Sequence, residues 1–264
     1  MSIRDFNPRL PTPETVFPAM VGRLGYPPSA ALNPDIRQGI ELAIRKGLDL
    51  VRVRTVSRKT PLLDWRGGVL RGDGIRVSSA KWAALMDRAE GPEWMCAFLL
   101  TLGEEVDAQI SRMQPGSIFE AYLLDAVGSE LAERMAEQLE SHLADGFAAQ
   151  GCQITARFSP GYCDWSLQEG QEELFRFLAP ERVGVRCTPA GMMIPRKSVS
   201  GVLVAARHVT DRVPCPYCAK RECPYRRDGR KSSSSRACSK KPRCKAREVP
   251  RNEAYIPVRR SDEG

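Results

Sequence analysis

Two places in the chain collect residue types that do chemistry. The first is R-F-S-P-G-Y at 157–162. Arg157 offers a planar fork of donors suited to a carboxylate or phosphate. Ser159 adds a hydroxyl, and Pro160 stiffens the chain and removes one N–H donor. Gly161 tolerates positive φ and lets a ligand approach the backbone, and Tyr162 closes the loop with a phenol. Read alone, the same residues also describe a strand ending in a Pro-Gly turn, with a surface arginine and a tyrosine on the rim. The second place is C-P-Y-C-A-K-R-E-C at 215–223, followed by Cys238 and Cys244, which gives C-x2-C-x4-C-x14-C-x5-C. Three thiols this close in a reducing compartment signal a metal. Cys215, Cys218 and Cys223 would supply three thiolates, and Cys238 or Cys244 the fourth. The spacing suits structural zinc and an iron–sulfur cluster alike. C-P-Y-C also matches the glutaredoxin-type motif, but that motif needs a strand before it and a helix after it, and here it lies in a Pro- and Arg-rich stretch. A basic tail with free thiols is the remaining reading.

These residues need elements to position them. Asn33-Pro34-Asp35 reads as a helix start with Pro34 at the first helical position, and Ile36, Ile40, Ala43, Ile44 and Leu48 continue at helical spacing. Val51, Val53 and Thr55 alternate with arginines as in a strand. D-W-R-G-G-V-L-R-G-D-G-I-R-V reads as a hairpin with turn glycines at 67–68 and 72–74. Ser78 or Ser79 caps the helix that follows. W-M-C-A-F-L-L-T-L-G is a continuous apolar run, as in a strand buried on both faces.

Ser117 and Glu120 have capping-box spacing ahead of a long helix at about 118–144. Its stripe is Phe119, Leu123, Val127, Leu131, Met135 and Leu139, and Gly128 interrupts it at a cost of about 1 kcal/mol unless something packs close there. Q-I-T-A-R-F is a strand leading into the loop, and E-G-Q-E-E-L-F-R-F-L is a helix. V-G-V-R-C-T and V-S-G-V-L-V-A-A are strands on either side of G-M-M-I-P-R-K-S, in which Met193 and Pro195 read as core and turn. Residues 1–30 are Pro-rich and read as a surface wrap. Helices and strands do not alternate strictly and hairpins occur. The expected fold class is therefore α+β, a mixed or antiparallel sheet flanked by helices.

The chain has 264 residues, 42% of them hydrophobic, enough for one large domain with an appendage. No run of eighteen apolar residues and no apolar leader is visible, so the expected compartment is the cytoplasm. The net charge is +8, with 17 of the 40 basic and 7 of the 32 acidic residues lying from Arg207 onward. The body is therefore near neutral and the tail carries the charge. The expected division is 1–206 as body and 207–264 as a basic Cys-rich tail, with S-S-S-S at 232–235 as a linker inside it. Cys96, Cys152, Cys163 and Cys187 are scattered through the body and read as small hydrophobes.

The long helix, then R-F-S-P-G-Y, then L-F-R-F-L, then C-T-P-A-G-M-M-I-P-R-K-S-V-S-G resemble, in order and spacing, the activation domain of cobalamin-dependent methionine synthase and its free-standing relatives. The resemblance runs over about 117–204, and R-L-G-Y at 23–26 and T-L-G-E-E-V-D at 101–107 extend it through most of the body. It implies a domain that binds S-adenosylmethionine and docks over a corrinoid whose cobalt has slipped to Co(II). An external electron then gives Co(I), which the sulfonium methyl traps. By this resemblance Arg157 pairs with the ligand carboxylate and Ser159, Pro160 and Gly161 line it. Tyr162 sits by the methyl group, and Glu133 contacts the ligand. Ser198 and Ser200 belong to the matching S-V-S-G.

From the helix alone, Glu130, Glu133 and Glu137 are an ordinary charged face. An aspartate and a late tyrosine that hold the ligand in the fused synthases have no counterpart here. No D-x-H-x-x-G signature is present, so the cobalamin is expected on a partner, a corrinoid methyltransferase. An iron–sulfur cluster in the tail would suit a reaction that needs an electron. The basic tail suits an acidic donor such as flavodoxin or ferredoxin. A zinc-ribbon module for nucleic acid would explain the tail but neither R-F-S-P-G-Y nor S-V-S-G, so nucleic acid is not the expected partner.

Overall fold

The computed structural model describes residues 6–27, 31–213 and 215. They belong to one compact unit spanning Met1–Lys220, and the remaining unit, Arg221–Gly264, lies outside the described residues.

The first helix, α1 (Pro13–Arg23), has Pro at its first turn and buries Val16, Met20 and Val21. The N-terminal stretch is thus not only a wrap, because its apolar residues fall at helical spacing and seat one turn after another. Helix α2 (Pro34–Leu50) begins as expected, with Asn33 Oδ1 accepting from the Asp35 N–H at 2.8 Å. Strand β1 runs Arg54–Asp64, later and longer than the Val51–Thr55 alternation suggests. Its residues 56–60 are set by pairing with a neighbouring strand, which short-range alternation does not report. The hairpin is β2 (Val69–Gly72) and β3 (Ile75–Ser78), and Ser79 caps α3 (Ala80–Met86) by accepting from the Trp82 N–H at 3.1 Å.

Strand β4 (Glu90–Thr101) is the apolar run, followed by α4 (Glu105–Met113) and the long α5 (Ile118–Ala148), whose Ser117 Oγ accepts from the Glu120 N–H. After β5 (Gln153–Ile154) come α6 (Leu167–Phe177), the two-residue strands β6 (Arg186–Cys187) and β7 (Met193–Ile194), and β8 (Ser198–His208). Q-I-T-A-R-F and V-G-V-R-C-T contain much shorter strands than their composition suggests.

The main sheet has the order β3-β2-β1-β4-β8-β5, and every pairing is antiparallel. This is the α+β architecture expected. Phe98 and Leu100 of β4 enter a core with α1, α2, α4 and α5. Met95, Ala97 and Leu99 enter a second core with α3 and α6. Period-2 alternation between two apolar layers is why this strand reads as unbroken hydrophobicity.

The stripe of α5 is buried at Leu123, Val127, Leu131, Met135 and Leu139, but Phe119 is half exposed. Gly128 has the close neighbour its position demands. A Cβ there would lie 3.0 Å from Lys197 Cε and 3.1 Å from Val106 Cγ1. Lys197 crosses the helix at this gap, its ammonium 2.8 Å from Asp125 Oδ1 and 3.0 Å from Ser129 Oγ. Among the scattered cysteines, Cys96 and Cys152 are buried, whereas Cys163 is exposed and Cys187 half-buried. The reading of all four as small hydrophobes therefore fits Cys96 and Cys152 but not Cys163, which lies on a loop, or Cys187, which lies on the two-residue strand β6 away from the main sheet.

Candidate functional site

The loop at 157–162 leaves the sheet edge. Phe158 pairs with Val202 of β8 in both directions, N–H to O at 2.7 and 2.8 Å. Gly201 makes that approach possible, since a Cβ on it would meet the Phe158 carbonyl at 3.1 Å and the Phe98 ring. Strand alternation then sends neighbouring side chains to opposite faces. Phe158 goes into the α3/α6 layer, its ring stacked between Trp82 at 5.0 Å and Trp165 at 5.6 Å. Arg157 goes to the α5 side.

Arg157 is not a surface residue, because its side chain is only 5% exposed. Its guanidinium pairs with Glu133 and lies 3.6 Å from Glu140. Glu133 is 42% exposed and Glu140 15%. The two acids are seven residues apart, two turns of one helix face. Glu140 in turn lies 3.4 Å from Arg212, just past β8. A low-dielectric position for a guanidinium is tolerable only with such partners.

The rest of the loop is fixed from several directions. Ser159 Oγ donates to the Ser200 carbonyl at 2.7 Å. The Gly161 N–H donates to the Trp165 carbonyl at 2.9 Å, with Gly161 at φ +86. Asp164 accepts from Ser79 Oγ at 2.5 Å and from the Lys81 N–H at 3.2 Å, anchoring the loop to the start of α3. Pro160 is buried, while Tyr162 is 42% exposed. Leu167 and Met192 are also exposed. Leu167 lies against the backbones of Gly161 and Gly191.

The expected site residues thus fall into three places. Arg157 and Glu133 meet directly, and Ser159 joins β8 at Ser200. Tyr162 is exposed at the end of the loop. Ser200 Oγ is buried and donates to Gln171 Oε1 at 3.0 Å, and Ser198 Oγ donates to the Pro195 carbonyl at 2.7 Å beside Thr101. These two serines tie elements together in this structure. Of the five tail cysteines, Cys215 is described and Cys218, Cys223, Cys238 and Cys244 lie outside the described residues. Among the described residues no group of three metal-ligating side chains occurs.

Sequence reasoning missed Glu140, Asp164, Gln171 and Arg212. The i, i+7 spacing from Glu133 could have found Glu140. Nothing local marks Arg212, which was counted only as part of the basic tail.

Residues 69–211 match the family described as vitamin B12 dependent methionine synthase, activation domain. The matched stretch runs from the hairpin through the loop to just past β8. The structure is also similar to the "Crystal Structure of the MetH Reactivation Domain bound to AdoHcy", with a TM-score of 0.55 and 16% identity over 81% of this chain and 80% of that one. At that identity the likeness is one of fold. Because the family match covers more than half of its residues, the chain belongs to the family of vitamin B12 dependent methionine synthase activation domains.

Proposed function

We propose that this protein binds S-adenosylmethionine at the Arg157–Glu133 edge and offers its methyl group, beside Tyr162, to a corrinoid carried by another protein. The observation that carries this reading is a buried guanidinium covered by an exposed carboxylate. An amino-acid head group bears one carboxylate and one ammonium. On entry its carboxylate takes Arg157 and its ammonium takes Glu133. The two protein charges exchange partners, and neither is left buried and unpaired. The loop backbone at 159–161 supplies polar groups along the ligand, and the anchors at Ser200 and Asp164 hold those groups in place before it arrives.

Tyr162, five residues after Arg157 on the same loop, is an exposed aromatic, and the exposed Leu167 lies against the backbone of Gly161. Exposed apolar side chains at this loop suit a flat macrocycle and the exclusion of water from a transferring methyl group. The corrinoid supplies the cobalt that accepts the methyl group, and downhill transfer from a sulfonium draws forward a reduction that is uphill alone. The partner is then a corrinoid methyltransferase in the cytoplasm, most simply a methionine synthase without its own activation domain. The family match and the AdoHcy named for the similar structure support this reading. Among the described residues no helix is long and apolar enough to cross a membrane. The tail cysteines are proposed ligands of zinc or an iron–sulfur cluster, and an acidic flavodoxin or ferredoxin is the proposed donor.

The test is calorimetric titration of S-adenosylmethionine into anaerobically purified protein and into Arg157→Ala. Saturable binding that the substitution removes is the expected result. Absence of binding to the wild type overturns the reading.

A further inference from the structure

The family match ends at Asp211, and the next residue enters the site. The Ala156 N–H donates to the Arg212 carbonyl at 2.8 Å, so the chain after β8 turns back beside the segment that carries Arg157. The Arg212 side chain lies 3.4 Å from Glu140 Oε1, and the other oxygen of Glu140 lies 3.6 Å from Arg157. One carboxylate therefore bridges two guanidiniums. The cluster Arg157, Arg212, Glu133 and Glu140 sums to zero charge. Without Arg212 it would be net negative.

Resting on the site reading above, we propose that Arg212, acting through Glu140, is a specificity-determining residue that sets the preference between the sulfonium donor and its demethylated product. S-adenosylmethionine and S-adenosylhomocysteine share the amino-acid head and the nucleoside. They differ by one methyl group and one positive charge. A cation fixed within about a Debye length of the ligand disfavours the sulfonium and leaves the neutral thioether untouched. Arg212 thereby offsets the pull of the two acids and tilts the bound state toward loss of the methyl group. Glu140, held between two cations, stays with Arg157, while the more exposed Glu133 is released to the ligand ammonium.

The experiment measures Kd for both ligands at low salt with wild type, Arg212→Gln, Arg212→Lys and Glu140→Gln. Arg212→Gln is expected to shift the ratio toward S-adenosylmethionine by about threefold, and Glu140→Gln to shift it the other way by a similar factor. Arg212→Lys restores the wild-type ratio, and both shifts shrink in about 0.5 M salt. Arg212 is 60% exposed, so its variants test the idea without threatening the fold. Equal weakening of both ligands in the Gln variants overturns the proposal and leaves Arg212 a packing residue. Failure of wild type to bind either ligand overturns the site reading itself, which is a separate outcome.

Discussion

Two buried cations meet helix α5, Lys197 at Asp125 and Ser129 and Arg157 at Glu133 and Glu140, and they are held in different ways. Lys197 is 8% exposed and Arg157 is 5% exposed, so burial does not tell them apart. Their partners do. The acid of Lys197, Asp125, is also approached by Arg196 at 3.5 Å. The backbone around Lys197 is pinned as well, with the Leu102 N–H donating to its carbonyl at 2.9 Å and the Arg196 N–H to Asp107 Oδ2 at 2.5 Å. One acid shared by two cations, over a glycine that makes room for the lysine stem, is a clamp. Arg157 faces two acids, of which the inner, Glu140, is shared with Arg212 and the outer, Glu133, is well exposed and held by Arg157 alone among the described residues. A cation that can release one partner and accept another is fit for a ligand. The lesson is that a displaceable partner, more than depth of burial, is what marks Arg157 as the candidate for the proposed binding role.

The sharpest way to break this comparison is at Arg157. Arg157→Ala should weaken S-adenosylmethionine about a hundredfold, equivalent to about 2.7 kcal/mol, by calorimetry. Retained binding would make Arg157 a second clamp. Lys197→Met should do the opposite. It should cost about 2 kcal/mol of stability in chemical denaturation, less than a fully buried pair because Asp125 keeps Arg196 and some solvent. Ligand affinity of the folded protein should stay unchanged, and a matching loss of binding would erase the distinction between the two cations.

Glu133→Gln should weaken the ligand about tenfold through its ammonium and barely change the melting temperature, because Glu133 is 42% exposed. A shorter-range effect is expected at the loop anchor. Asp164→Ala should cost about 1 kcal/mol, the scale of a lost helix cap, and raise Kd a few-fold by loosening Tyr162. The smallest effect concerns thiols. Burial, and secondarily Glu93, pushes the Cys152 thiol up, and burial with Glu172 does the same for Cys187. A raised pKa means less thiolate at pH 8, so both should alkylate more slowly than the exposed Cys163. Peptide-level mass spectrometry reads this, and bound ligand should slow Cys163 because it adjoins Tyr162.

Much of this was legible in the chain because local chemistry decided it. Asn33, Ser79 and Ser117 announced their helices, since a cap is a contact within three residues. The apolar run at 94–102 announced the central strand, and Gly128 announced a close neighbour. Less legible were β1, whose length is set by β4, and α1, whose prolines masked a buried stripe.

For the site, sequence alone determined the loop's chemistry and its family. Arginine, proline, glycine and tyrosine in that order, with S-V-S-G downstream, depend on residue types and spacing, and these are fixed along the chain. Only the tertiary structure decided the charges around them. Glu133 and Glu140 reach Arg157 across a helix–strand packing, and Arg212 arrives from 55 residues away by a turn after β8. Coulomb attraction acts through space, so its partners are assigned only when the elements dock.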